Sequence, residues 1–349
     1  MVIHFEDLPN EIIYEILGYL DIDQINEAFS NLNQRFDHLL TYSPLSIRVD
    51  LAPMSKSTFL QYHQKIIEPN RHRIASLRLP DVFTVNLIFS PSRYIKEFIR
   101  LEALILENID ANFFKDILFD HLTSLLTLRS LVLVFNGPIS NKTAFYRGIL
   151  RLPALKYCKL SFEVISQSNF LCRATNESSP IEHLIIENDA NLDELYSVLS
   201  YLPQLRRLSW QKLSALDYKQ TIVERMELKH LTHLTLELRH ANFNQFETMI
   251  IDQFPHLEVL HLSTSFNREY LDEDRWERLI ACSMPHLRIF DLEHRDQSYT
   301  TNNVFLTCIR LNRIFTSLFW RERQWSFTHQ CFWQGNWDQV IFYSTNPYR

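Results

Sequence analysis

The sequence predicts a mixed α/β fold: a module of three short helices, then a solenoid of strand–helix units with parallel strands on the concave face and helices on the convex face. Three observations carry this expectation. Apolar residues in the first forty positions recur at helical spacing behind a proline-marked start, and a six-residue apolar pattern returns nine times between Ile74 and Leu292. The 349 residues are 46% hydrophobic and 22% charged, enough apolar material to bury a core of ordinary size.

The helical module occupies residues 1–45. Leu8-Pro9-Asn10-Glu11 opens a helix, because proline is tolerated where its missing N–H would be unpaired and Glu11 suits the positive end of the dipole. That helix runs to about Leu20, with Ile12, Ile13, Ile16, Leu17 and Leu20 on one broad face. Asp21 and Asp23 offer caps for a second helix carrying Ile25, Ala28, Phe29 and Leu32. Asn33 breaks it, and a third short helix presents Phe36, Leu39 and Leu40. Three helices of this size cannot satisfy so many large apolar side chains among themselves, so part of that surface is expected to meet another protein.

These residues resemble the F-box, whose pattern of L-P-x-E, apolar residues at helical spacing and an acidic turn is matched by Leu8, Pro9, Glu11, Ile12, Ile16, Leu17, Leu20, Asp21, Ile25 and Arg35. The likeness covers about a ninth of the chain, and Asn33-Gln34-Arg35-Phe36 stands where the family often has Cys-Arg-x-Trp. The resemblance implies docking on a Skp-type adaptor, and through it on a cullin, with Leu8, Pro9, Ile12, Ile16, Leu17 and Leu20 meeting the adaptor.

Residues 46–295 form the repeat region. Leu45, Ile47, Val49 and Leu51 alternate as a leading strand. The repeated pattern places large apolar residues first, fourth and sixth, as in Leu101/Leu104/Leu106, Leu128/Leu131/Leu133, Leu205/Leu208/Trp210 and Leu257/Leu260/Leu262. Successive fourth-place residues are 24 to 30 positions apart. The fourth and sixth residues of a strand point to the same side, so each unit must bury them against its neighbours with a helix packed behind. Helical periodicity appears in Asn244 to Phe254 and Asp272 to Cys282, and Pro153, Pro203, Pro255 and Pro285 stop the preceding helices.

This region is similar to leucine-rich repeats with helical convex sides. The family's asparagine three places beyond the core pattern is missing from most units: Ile109 and Asp189 stand there, with Asn108 and Asn188 one place early. A regular internal ladder of asparagine hydrogen bonds is therefore not expected.

Strand alternation assigns the third, fifth and seventh residues of each unit to the open face. The seventh place holds Glu107, Glu187, Glu237 and Glu293, and the fifth holds Ile105, Val132 and Ile185. An apolar patch bordered by carboxylates predicts a seat for a target protein with a basic, partly apolar segment. Residues 296–349 form an aromatic-rich cap, in which Trp325, Phe327, Cys331 and Trp333 alternate, Gly335-Asn336 turns, and Val340 to Tyr343 returns.

Composition excludes several classes. Four glycines cannot build a phosphate-cradling loop, and a net charge of −6 does not suit a nucleic-acid surface. No cofactor is expected. His230 and His233 run into a strand with no cysteine nearby, so no metal site is expected either. No apolar run reaches membrane-spanning length, the amino terminus lacks the marks of a leader, and five scattered cysteines fit a reduced compartment, giving a cytoplasmic or nuclear expectation. The resemblance to the F-box, with the repeats behind it, implies a non-catalytic substrate receptor of a ubiquitin ligase. A repeat scaffold without a ligase role, or an enzyme with an unrecognised site, are the alternatives.

Overall fold

A computed structural model describes residues 4–20, 22–29, 32–41, 46–51, 54–89, 92–111, 122–139, 141–164, 174, 177–214, 228–298, 311, 314–334 and 337–346. Asp21, Cys172, Cys308, Gly335 and Asn336 lie outside the described residues. The chain has a mixed α/β structure with mostly parallel, open sheets, in two compact units: Met1–Pro138 with Leu152–Leu155, and Ile139–Arg151 with Lys156–Arg349.

The first unit begins with helices α1 (Asn10–Leu17), α2 (Ile22–Phe29) and α3 (Gln34–Thr41). Pro9 stands at the N-cap of α1 rather than within its first turn. Ile13, Leu17, Ile25, Phe36 and Leu39 form the shared interior. The rings of Phe5, Phe29 and Phe36 stack there with centroids 5.4 to 5.9 Å apart, so Phe36 fills the core. Asn33, four residues beyond the end of α2, starts α3: its Oδ1 accepts from the Phe36 N–H at 3.0 Å while its Nδ2 donates to Glu6. Arg35 then ties the amino-terminal segment down by donating to the Leu8 carbonyl and to Asn10 Oδ1, both at 2.7 Å.

Strands β1 (Ile47–Asp50), β2 (Ile74–Leu79), β3 (Ala103–Ile109) and β4 (Ser130–Pro138) follow, paired parallel in that order. Between β1 and β2 runs helix α4 (Lys56–Tyr62), capped by Ser55 and prolonged by a π turn, His63–Ile67. Helix α5 (Val82–Phe89) lies between β2 and β3.

In the second unit, β5 (Tyr157–Glu163), β6 (His183–Asn191), β7 (Arg207–Ser214), β8 (His233–Arg239), β9 (Val259–Ser265) and β10 (Ile289–Ser298) are parallel neighbours. The aromatic-rich segment adds β11 (Ser326–Gln334) and β12 (Trp337–Asn346), a hairpin whose β12 pairs antiparallel with β10. Helices α6 (Lys142–Leu150), α7 (Leu192–Leu199), α8 (Phe243–Gln253) and α9 (Glu273–Ser283) alternate with the strands, and α10 (Leu318–Glu322) precedes the hairpin.

The register follows the repeat. Cys158, Leu184, Leu208, Leu234, Leu260 and Phe290, all fourth-place residues, are direct partners from strand to strand, as are the sixth-place residues Leu160, Ile186, Trp210, Leu236, Leu262 and Leu292. Every one of them is buried, since a one-residue slip would turn a whole row out to water. Each following helix is started by a side chain that accepts a backbone N–H three residues on: Asn141, Asn191, Asn242 and Asp272.

The early asparagines are used locally. Asn108 takes a left-handed φ of 51° and donates to the Pro80 carbonyl at 3.0 Å. Asn188 is buried, donates to the Asp189 carbonyl and accepts from the Tyr146 hydroxyl at 3.3 Å. That hydroxyl also lies 3.1 Å from Glu194, whose other oxygen holds Lys142 Nζ at 2.6 Å in an interior ion pair.

The cysteines are not uniform. Cys158 is a buried free thiol and Cys282 an exposed one, but Cys331 is disulfide-bonded. That bond is at variance with reading all five as reduced thiols, and removes the support that cysteine spacing gave to a reduced compartment. No helix among the described residues is long and apolar enough to cross a membrane.

Candidate functional site

Two surfaces were expected to bind partners, and the structure treats their residues differently. In the helical module, the α1 face is split. Ile13 and Leu17, four residues apart, point into the interior, and Leu17 is only 1% exposed, so it has no surface to give a partner. The apolar face read from the sequence is wider than the stripe that the three helices bury, and Leu17 falls within that stripe. Leu8 and Leu20 are half-buried against the same interior. Pro9 is exposed, Ile12 is 42% exposed, and Ile16 is half-buried. Tyr19, which the sequence reading passed over, is 85% exposed and extends the same three-and-four spacing: 9, 12, 16, 19.

On the open sheet face, the glutamate row is not a free acidic border. In the first unit Glu107 accepts two hydrogen bonds from Arg78, both at 3.2 Å. In the second, Glu187 holds Lys159 at 2.7 Å, Glu237 holds Arg239 at 2.8 Å, and the buried Glu293 holds Arg295 at 2.7 Å. Each expected anion is thus matched by a cation from the same or the adjacent strand.

The apolar positions also separate. Ile105 and Val132 are register partners, both half-buried, with Arg78 on the other side of Ile105. Ile185 has Lys159 and Ser209 as its neighbours across the strands.

What the second unit does assemble is a depression of about 470 Å³, in which Gln211, Thr235, Glu237, His261, Ser263 and Asp291 stand beside Trp210, Leu236 and Leu262. His261 Nδ1 lies 3.1 Å from the buried Asp291 carboxylate, whose other oxygen accepts from the Ser344 hydroxyl. Imidazole and hydroxyl both address the carboxylate rather than each other, so the three are not in the serine–histidine–carboxylate order of an activated nucleophile. Beside this depression, on the third-place row, His183, Arg207 and His233 are register partners. Burial first, and Arg207 second, lowers the pKa of both histidines below the ordinary imidazole value.

At the strand ends His240 and Phe266 both adopt left-handed φ values, 58° and 68°, and stack with centroids 5.2 Å and planes 3° apart on the surface. Non-glycine residues take that conformation at a cost, and nothing in the repeat pattern announced it. Among the described residues no group of three histidine, cysteine or acidic side chains could hold a metal ion. What the face offers chemically is hydrogen bonding and matched charge.

No family model matches the chain, and no curated protein matches it either.

Proposed function

We propose that the chain is a non-catalytic, substrate-recognition adaptor of a cullin-RING ubiquitin ligase. In this reading residues 1–45 are an F-box-like module that docks a Skp-type adaptor, and residues 46–295 are an irregular leucine-rich-repeat solenoid that holds a target protein. The protein acts by positioning a target near a transferring enzyme, not by bond chemistry, and needs no cofactor, nucleic acid or membrane. The observation that carries the reading is the accessible strip Pro9, Ile12, Ile16 and Tyr19 on a module whose own interior is already filled. Apolar side chains left out of a satisfied core are the usual substance of a docking surface.

The target seat in this reading is the depression of mixed polar and apolar lining and the ion-paired glutamates beside it, which suit a partner offering hydrogen bonds and apolar contact rather than one selected by net positive charge. Co-purification with a Skp-type adaptor tests the docking half. Ile12→Asp with Ile16→Asp should weaken capture at least about tenfold while the chain stays folded, since neither residue is fully buried. Unchanged capture by that double variant would refute the docking assignment.

A scaffold without ligase function is the second reading. It is favoured by the bond from buried Arg73 to the Leu40 carbonyl, 2.8 Å, which fastens α3 to the segment entering β2 as an end cap would be. Failure of the wild-type chain to retain any Skp-type adaptor would select it.

A further inference from the structure

Strand β11 pairs only with β12 among the described residues and closes the strand order of its unit, so one side of its backbone is an edge. Its nine residues, Ser326-Phe-Thr-His-Gln-Cys-Phe-Trp-Gln334, contain no lysine, arginine, aspartate, glutamate or proline. Charge, proline and shortness are the devices by which proteins keep edges from pairing. β1, which opens the strand order of the first unit, uses two of them: it has four residues, and Arg48 and Asp50 are exposed on it.

β11 is also anchored, with one register irregularity against β12 between Ser326 and Phe327. Phe327 stacks on Phe342 at 5.6 Å with planes 4° apart and touches Phe315 at 4.7 Å, and Cys331 is disulfide-bonded. Ser326, Thr328, Gln330 and Phe332 face solvent, Phe332 being 43% exposed. A rigid edge loses little freedom when a further strand adds to it.

We propose that β11 is a homodimerisation edge, pairing antiparallel with β11 of a second copy across a two-fold axis at Gln330. Under that rotation the uncharged strand meets itself without a charge clash, and its ends and centre match in class. Ser326 would meet Gln334, Phe327 would meet Trp333, Thr328 would meet Phe332, His329 would meet Cys331, and Gln330 would meet itself. Ser326 with Gln334, Phe327 with Trp333 and Gln330 with itself match in class, Thr328 with Phe332 sets a small side chain against a ring, and no like charges oppose. A two-fold interface closes on itself and so ends the sheet instead of propagating it. The inference is independent of the proposed ligase role.

The test is the mass in solution of the full chain in a Cys282→Ser background, which removes the exposed free thiol, measured by sedimentation from roughly 1 to 100 µM. The expected result is a reversible dimer. Gln330→Lys should shift it toward monomer by at least about tenfold in dissociation constant, with an unchanged near-ultraviolet dichroism spectrum. Mixing Gln330→Lys with Gln330→Glu chains should restore a mixed dimer, because opposite charges then face each other at the axis. A wild-type chain that stays monomeric throughout, whether or not it captures a foreign strand, overturns the proposal. So does a dimer indifferent to Gln330→Lys, or a lysine–glutamate mixture that does not pair.

Discussion

The two sides of the strands in the second unit obey different rules. On the side facing the helices, the fourth- and sixth-place rows run unbroken across six strands in the register that the repeat dictates. On the open side, the same strands carry glutamates whose counter-ions come from changing places: Lys159 one strand back, but Arg239 and Arg295 two residues further along their own strands. Burial enforces periodicity because one misplaced leucine exposes its area to water at roughly 25 cal/mol per Å². A solvated carboxylate can take whatever cation is within reach. The repeat therefore specifies packing and leaves recognition to local accident.

The largest way to test this difference is on the buried row. Leu234→Asp places an uncompensated charge between Leu208 and Leu260, its register partners, and should abolish cooperative unfolding at 25 °C; chemical denaturation with fluorescence detection would show it. A variant that unfolds like wild type would mean that the row is not an interior.

A smaller effect should appear with pH, from His294 on the same helix-facing side. Burial, helped by Arg268, lowers its pKa to about 4, and Thr264 lies 2.8 Å from its Nδ1. Between about 4 and the ordinary imidazole value of roughly 6.5, the unfolded chain binds a proton that the folded chain refuses. Stability is therefore fully present above about pH 6.5 and falls as pH drops toward 4, by roughly 3 kcal/mol from this residue. Urea midpoints across that window should fall for wild type and fall less for His294→Gln. Parallel curves would remove His294 as the cause.

The smallest stability effect belongs to the open face. Glu237→Lys breaks the pair with Arg239, yet both side chains are at least one-third exposed, so the loss should stay under about 1 kcal/mol. Target capture should weaken all the same if that face is the seat. A change in stability without a change in capture would reverse the assignment of roles.

The same contrast governs what could be read beforehand. The strands, their register and the helix ends before Pro203, Pro255 and Pro285 were legible, because they follow from apolar spacing and from the missing N–H of proline. The hairpin at the carboxyl terminus was legible from alternation around Gly335-Asn336, though these two residues lie outside the described set. Which part of the α1 face would remain outside was not, because helical spacing shows which residues share a side and not how wide the neighbouring helices are. Leu17 and Ile16 are adjacent in sequence and separated only by how α2 and α3 happen to cover them. The His261–Asp291–Ser344 contact was also invisible, since it joins residues 30 and 53 positions apart from a repeat strand and the hairpin.

Lys142 and Glu194 make the segments that carry them non-interchangeable. An ammonium and a carboxylate enclosed together, with Tyr146 and Asn188 completing their contacts, fit only in that order. Shuffling, duplicating or excising a module on either side would strand one ion in hydrocarbon. A chain whose strands look alike therefore carries an address in its interior, and it should resist the lengthening and shortening that uniform arrays tolerate.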